Sequence, residues 1–151
     1  MSQTNTSDPA ERSYEGDILA WAREQARLLE EGRFDELDLA NLIEEVNSVG
    51  GSDRREIESR LGVLILHLLK WRYQPGRRTP SWEVTIRHQR GRIARVVDYR
   101  PSLKHHAADE FADAYTGARL RAAVETGLDP VLFPAAPPFT VEQALDPDFL
   151  P

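Results

Sequence analysis

The segment LGVLILHLL, at residues 61–69, constrains this chain more than any other feature. It forms the second half of a helical pattern from about Asp53 to Tyr73, and it is apolar on almost every side of that helix. A helix of this kind is normally buried, with other elements surrounding it. The segment is far too short to cross a bilayer, which takes about 20 apolar residues. We therefore expect this helix to lie at the centre of a helical domain.

Four further helical patterns surround the central one in the sequence. The first is predicted from near Tyr14 to Glu31, and the second follows Asp38 as its N-cap and ends at a Gly-Gly pair. Ser52 is the predicted N-cap of the central third helix. The fourth begins at a Thr-Pro pair, residues 79–80, and the fifth covers about 101–126. No alternating strand pattern is present. The prediction is an all-α, bundle-like single domain of about five main helices.

The first two helices have apolar stripes that we expect to face the core. The stripe of the first helix consists of Ile18, Trp21, Ala22, Gln25, Leu28 and Leu29. The stripe of the second consists of Leu39, Leu42, Ile43, Val46 and Val49.

The two ends of the chain differ in character. Residues 1–12 are polar and predict a disordered lead-in, and residues 13–151 predict the single helical domain. Residues 128–151 hold six of the ten prolines and predict a tail that wraps this domain. Thr140 and Gln143 match a capping box, which predicts one short helix there. The expected anchors of the tail are Leu132, Phe133, Phe139, Leu145, Phe149 and Leu150.

The charge is spread unevenly around a net value of −6. Residues 15–58 carry −8, residues 70–104 carry +8, and residues 105–151 carry −6. A basic block is typical of a nucleic-acid surface, but also of basic helices that pack beside acidic ones, and we favour the second interpretation. The chain has no cysteine, and its N-terminal residues lack an apolar signal core, so we expect a cytoplasmic protein.

Standard catalytic and cofactor motifs do not occur. The sequence contains no phosphate-binding glycine loop, no HExxH, no EF-hand loop and no GxSxG. The adjacent His105 and His106 point about 100° apart on a helix, which makes a poor pair of metal ligands, and we expect both to be solvated. We therefore predict no catalytic residue, no cofactor and no metal.

Polar residues beside the apolar stripes are the strongest candidates for a site. They converge if the helices pack together: Glu45, Arg60, His67, Lys70, Gln89 and Arg90. One interpretation is a small polar pocket with His67 as acid, base or ligand and Glu45 as its partner. The other is a hydrogen-bonded lock between helices, which we favour because ion-pair networks are often structural.

The joint between the third and fourth helices combines aromatic and basic residues. Its members are Trp71, Arg72, Tyr73, Arg77, Arg78 and Trp82. Such a combination suits single-stranded nucleic acid or a protein hot spot. Both tryptophans lie on apolar stripes, so we favour the interpretation in which they face inward and only the arginines are exposed.

Several segments together resemble one bacterial family, domain of unknown function twenty-nine. They are YEGDILAWAREQARLLEEGRFDELDLANLIEEV, SRLGVLILHLLKWRYQP, SWEVTIRHQRGRI and PFTVEQALDPDFLP. The matching positions include Tyr14, Asp17, Trp21, Leu42, Glu45, His67, Lys70, Trp71, Gln74, Pro75, Trp82, Ile86 and Arg90. The resemblance covers about Tyr14 to Pro151. It implies an all-helical fold and no particular activity.

Three functions remain open on this sequence. The first is a non-enzymatic interaction or regulatory module, for which a protein partner or a second copy of the chain is favoured over nucleic acid, with no membrane. The second is nucleic-acid binding through Arg72, Arg77, Arg78, Arg87, Arg92 and Arg95. The third is an enzyme or small-ligand binder that uses Glu45 and His67. We favour the first.

Overall fold

A computed structural model describes residues 13–151 and confirms the all-α fold class. The helices are α1 (Ile18–Glu30), α2 (Leu39–Ser48), α3 (Gly51–Tyr73), α4 (Pro80–Tyr99), α5 (His106–Thr126) and a short α6 (Val141–Leu145). Four single 3-10 turns lie between them, and residues 13–151 contain no strand. The predicted lead-in, residues 1–12, lies outside the described part of the chain.

The described residues divide into two compact units, one ending at Val49 and the other spanning Gly50–Pro151. The first unit contains α1 and α2, and the second contains α3 to α6. The sequence-based division, with one domain over residues 13–151, stays a prediction.

In the first unit, a set of polar contacts joins α1 to the start of α2. Asp38 caps α2 as predicted, because its carboxylate accepts from the backbone N–H of Asn41. The same carboxylate accepts from the indole N–H of Trp21 at 3.0 Å, and the side chain of Gln25 accepts from the backbone N–H of Asp38 at 2.8 Å. The buried Gln25 of the predicted α1 stripe is therefore explained by a hydrogen bond.

The apolar stripe of α2 is exposed, so the prediction that it faces the core is wrong. Leu39, Ile43, Val46 and Val49 are 59%, 60%, 68% and 75% exposed, and only Leu42 is half-buried. The α1 stripe is divided, since Trp21 and Leu28 are buried while Ile18 and Leu29 are each 46% exposed. Periodicity identifies an apolar face, but it does not identify what covers that face.

In the second unit, α3 is the central helix, as the sequence predicts. Its residues Ile57, Leu61, Leu64, Ile65 and Leu68 are fully buried. Both α4 and α5 pack along α3, and they contribute Ile86, Ile93, Phe111 and Tyr115 to the same core, among others. An almost entirely apolar helix thus has neighbours on several sides.

The helix ends follow local capping chemistry, with three corrections. Thr79 and Pro80 start α4 as predicted, and Gly127 ends α5 with a φ of +68°. In contrast, α1 begins at Ile18 behind the N-cap Asp17 rather than near Tyr14. Gly50, not Ser52, is the N-cap of α3, with a φ of +84° that favours glycine. A 3-10 turn occupies Pro101–Leu103, and α5 begins only at His106.

The proline-rich tail docks on its own unit and ends in the predicted short helix. Thr140 and Gln143 form the capping box of α6. Phe133 and Phe139 are buried, and Leu145 and Phe149 pack against the same core. Leu132 and Leu150 are 54% and 40% exposed, so their expected role as anchors is wrong. Among residues 13–151, no helix is long and apolar enough to cross a membrane.

Candidate functional site

The six candidate polar residues take part in separate contacts. Arg60 and Gln89 do meet, with the guanidinium donating to the amide oxygen at 3.2 Å. Glu56 accepts from Arg60 and from Arg92, at 2.9 Å each, so this network joins α3 to α4. The two arginines, Arg60 first, hold the pKa of the Glu56 carboxyl below its usual value. A shallow cleft of about 190 Å³ lies along this network.

His67 and Lys70 have partners of a different kind. The Nδ1 of His67 bonds to the carbonyl oxygen of Val63 one turn earlier, at 2.9 Å. Burial lowers the pKa of His67 below its ordinary value of 6.5. Lys70 lies 3.5 Å from a carboxylate oxygen of Glu125 on α5, and its ammonium lies 4.8 Å from the ring centre of Trp82. This set links α3 to α5 and to the start of α4.

Arg90 is the buried member of the six, with only 6% of its surface exposed. Its Nε donates to the carbonyl oxygen of Ala144 at 2.7 Å, and one terminal nitrogen donates to the carbonyl oxygen of Phe149 at 2.7 Å. Burial lowers the pKa of this guanidinium. Arg90 therefore holds the tail against α4. The choice between a polar pocket and a hydrogen-bonded lock for the six residues stays a prediction.

Glu45 lies in the first unit and accepts a hydrogen bond from the hydroxyl of Tyr14 at 2.7 Å. This contact raises the pKa of the tyrosine. Tyr14 also packs edge-on against Trp21, with ring centres 4.9 Å apart. The role of Glu45 as a partner of His67 stays a prediction.

Residues of the aromatic and basic joint contact one another. Arg78 donates to the carbonyl oxygen of Trp71 at 2.8 Å, and its guanidinium lies 4.9 Å from the ring centre of that tryptophan. Trp71, Tyr73 and Trp82 are half-buried, whereas Arg72, Arg77 and Arg78 are exposed. The expected division between inward rings and exposed arginines therefore holds for the arginines and in part for the rings.

Other members of the basic block lie beside acids. Arg87 pairs with Glu83 at 3.1 Å within α4, and Arg100 pairs with Asp53 at 3.0 Å. Arg92 and Arg100 thus pair with acids of α3, and Lys70 of α3 pairs with Glu125 of α5. They support the interpretation in which basic and acidic helices pack side by side.

The first unit carries an exposed apolar stripe along α2. Leu39, Leu42, Val46 and Val49 recur at alternating steps of three and four, and Ile43 widens the stripe by one position. This spacing is that of a helix–helix seam. The sequence identifies the residues of this stripe, but it does not predict their exposure. The same apolar spacing occurs on a helix face that is buried in its own chain and on one that is exposed.

Sequence reasoning also missed a group formed by α3 and α5. His106 was expected to be solvated, but its side chain is only 16% exposed and its Nε2 lies 3.0 Å from a carboxylate oxygen of Glu58. Its partner stands 48 positions earlier, so no local motif connects the two. His105, in contrast, is exposed as expected.

One comparison with known proteins gives a result. A family model described as "Domain of unknown function DUF29" matches residues 13–150. No curated protein and no solved structure is significantly similar to the chain. The match spans nearly the whole chain, in agreement with the resemblance noted from the sequence, and the chain therefore belongs to the DUF29 family.

Proposed function

We propose that this protein is an interaction module that acts by binding rather than by catalysis, and that its α2 stripe pairs with the same stripe of a second copy. The observation that carries the proposal is the exposure of this stripe. Val46 on α2 and Val49, directly after its last residue, are 68% and 75% exposed. The polar groups near them already have partners, since Glu45 accepts from Tyr14 and Asp38 caps the helix start. A continuous exposed apolar face marks an interaction site more often than scattered apolar residues do.

The spacing of the stripe favours a helix as the partner. Apolar residues at steps of three and four put one continuous ridge along α2. A facing helix with the same spacing fills the gaps between those side chains. A second copy of α2 supplies such a helix by symmetry.

The chemistry of the stripe favours a second copy over a charged partner. Leu39, Ile43, Val46 and Val49 carry no charge, and Glu44 points away from them on the helix wheel. A two-fold axis brings the same patch of both chains together, so a purely apolar patch is complementary to itself. The one acid beside the stripe, Glu45, is bonded to the hydroxyl of Tyr14, so the stripe itself carries no charge that would select a basic or an acidic segment.

The energy available fits a dimer of moderate strength. Full burial of one such side chain contributes about 1.5–3 kcal/mol, so one that is still 60% exposed, as Ile43 is, has about 1–2 kcal/mol to gain. Four such side chains on each of two copies contribute about 8–16 kcal/mol, against an association cost of about 4–15 kcal/mol. A net gain of about 4–8 kcal/mol, which lies within the difference between these ranges, corresponds to dissociation in the micromolar to millimolar range.

The test is the mass of the full chain by sedimentation equilibrium, from about 1 µM to about 1 mM. We expect wild type to pass from one chain to two across this range. Val46→Lys should remain a single chain, because it places a charge in the middle of the seam. Lysine in the last turn of a helix is favourable for the helix dipole, so the substitution does not weaken α2 itself.

Two control variants localise the effect. Val84→Lys changes a valine on α4 that is equally exposed, at 66%, and should dimerise like wild type. Val124→Lys changes an exposed apolar position on α5 and should also dimerise. The proposal fails if wild type is monomeric throughout, or if Val124→Lys rather than Val46→Lys abolishes the dimer. If wild type is monomeric and Val46→Lys lowers its free energy of unfolding, the stripe is covered by the same chain.

A further inference from the structure

We infer that Glu58, His106 and Glu110 form a binding site for a divalent transition-metal ion, with zinc as the reference ion. The three ligand atoms, one imidazole nitrogen and two carboxylate oxygens, all lie within 4.8 Å of one another. The site belongs to the second unit and shares no residue with the α2 stripe. It therefore stands independently of the proposed dimer.

Two packed helices place the three side chains. His106 and Glu110 are one turn apart on α5, so their side chains lie on the same face of that helix. Glu58 projects from α3, which packs along α5. Each ligand stands next to a core residue, Ile57 before Glu58, Ala107 after His106 and Phe111 after Glu110. The backbone beneath the site is thus fixed by the core, as a metal site requires.

The distances suit a single ion. Zinc binds imidazole nitrogen and carboxylate oxygen at about 2.0–2.2 Å, which places neighbouring ligand atoms roughly 3–4 Å apart. Nε2 of His106 and Oε1 of Glu58 are already 3.0 Å apart, and a carboxylate oxygen of Glu110 lies within 4.8 Å of both ligand atoms. Three protein ligands leave a fourth position for water or for a further ligand.

The charges favour a cation between the carboxylates. Without a metal, the Nε2–H tautomer of His106 donates to Glu58. Binding of an ion through Nε2 requires the other neutral tautomer, in which the proton lies on Nδ1. Within residues 13–151, Glu110 takes part in no hydrogen bond or ion pair. The hydrogen bond from His106 goes to Glu58 and leaves the negative charge of Glu110 without a positive partner. The two carboxylates repel each other, because their ligand oxygens lie within 4.8 Å. A divalent ion neutralises both, and a mixed nitrogen and oxygen ligand set is one that zinc, manganese, iron and cobalt accept.

Access and burial are compatible with exchange of the ion. The side chain of His106 is 16% exposed and that of Glu58 is 43% exposed. The imidazole is thus held in place, while the Glu58 carboxylate is open to the solvent from which an ion arrives. All three residues are half-buried, which separates this group from the fully exposed acids elsewhere on the surface.

The test uses the full chain without an affinity tag and free of metal. Zinc is added in a calorimetric titration, and cobalt is added in parallel for its visible absorption, which reports the ligand set. We expect one ion per chain. His106→Ala and Glu110→Gln should each weaken binding by at least about 10–100-fold, since even residues that only support metal ligands contribute that much.

Two features of the design separate a metal site from a structural contact. His105→Ala removes the adjacent, exposed histidine and should bind zinc like wild type. Glu110→Gln leaves the hydrogen bond between Glu58 and His106 in place, so the Tm of its metal-free form should match wild type. If Glu110→Gln binds zinc as tightly as wild type, Glu58 and His106 form only an interhelical hydrogen bond, and the inference is wrong. Absence of stoichiometric binding by wild type, or equal loss in His105→Ala, would also overturn the inference.

Discussion

Replacing Arg90 by alanine tests how the tail is held. The guanidinium is 6% exposed and donates to two main-chain carbonyl oxygens of the tail, those of Ala144 and Phe149, both at 2.7 Å. These distances are typical of hydrogen bonds from a charged donor. Alanine removes both donors and leaves the two carbonyl groups without partners at the edge of the core.

The expected loss follows from these two contacts. A hydrogen bond from a charged group contributes about 1.5–3 kcal/mol to stability, so Arg90→Ala should lower the free energy of unfolding by about 3–6 kcal/mol. That is a large part of the roughly 5–15 kcal/mol that a domain of ordinary stability has. The loss should be concentrated in the tail, because every hydrogen bond of Arg90 ends between Gln143 and Phe149.

Urea unfolding gives the magnitude, and hydrogen exchange of residues 141–151 gives the location. Arg95→Ala, at an exposed position of the same helix, is the matched control and should change stability by less than about 0.5 kcal/mol. Arg90→Lys keeps the charge without the two-pronged geometry and should fall between the other two. A loss below about 1 kcal/mol for Arg90→Ala, with unchanged exchange in the tail, would refute the reasoning.

Two further predictions concern buried groups of the second unit. Tyr115→Phe removes the hydrogen bond from the hydroxyl to the carbonyl oxygen of Pro134, at 2.5 Å, and should cost about 1–2 kcal/mol in urea unfolding; an unchanged midpoint would contradict this. Burial lowers the pKa of His67 below 6.5, so the unfolded chain takes up a proton first as the pH falls. Wild-type stability should therefore decline as the pH falls below 6.5, and the decline should be smaller in His67→Gln. Equal pH profiles of the two proteins would show that other groups carry the effect.

The helical framework could be predicted because its signals are local. The N-caps Asp38 and Thr79, the C-terminal Gly127 and the capping box of α6 each act within four residues of the helix end that they fix. The central position of α3 followed from an apolar composition that only a buried helix tolerates. The errors at helix starts, such as Ser52 and the first turn of α5, are of two to five residues, and they occur where more than one residue near the start can cap a helix or begin a turn.

The candidate sites could be predicted only in part, because their contacts are distant in the sequence. Arg60 was selected at the edge of one apolar stripe and Gln89 within another, and they meet across 29 positions. Arg90 was selected on the same ground, yet its partners are main-chain carbonyl oxygens, which leave no trace in a sequence. Glu58 and His106 were not paired, since a histidine at a helix start has the pattern of a solvated residue.

The two proposals predict independent outcomes, because they rest on different helices and different chemistry. Val46→Lys should lose the dimer and still bind one zinc ion per chain, since it leaves Glu58, His106 and Glu110 unchanged. His106→Ala should lose zinc and keep the concentration dependence of the mass. Circular dichroism of both variants shows whether each is folded. If one substitution abolished both zinc binding and dimerisation while the helices remained intact, zinc binding and self-association would be linked. In that case α2 and the metal group would have to be treated as one site rather than two.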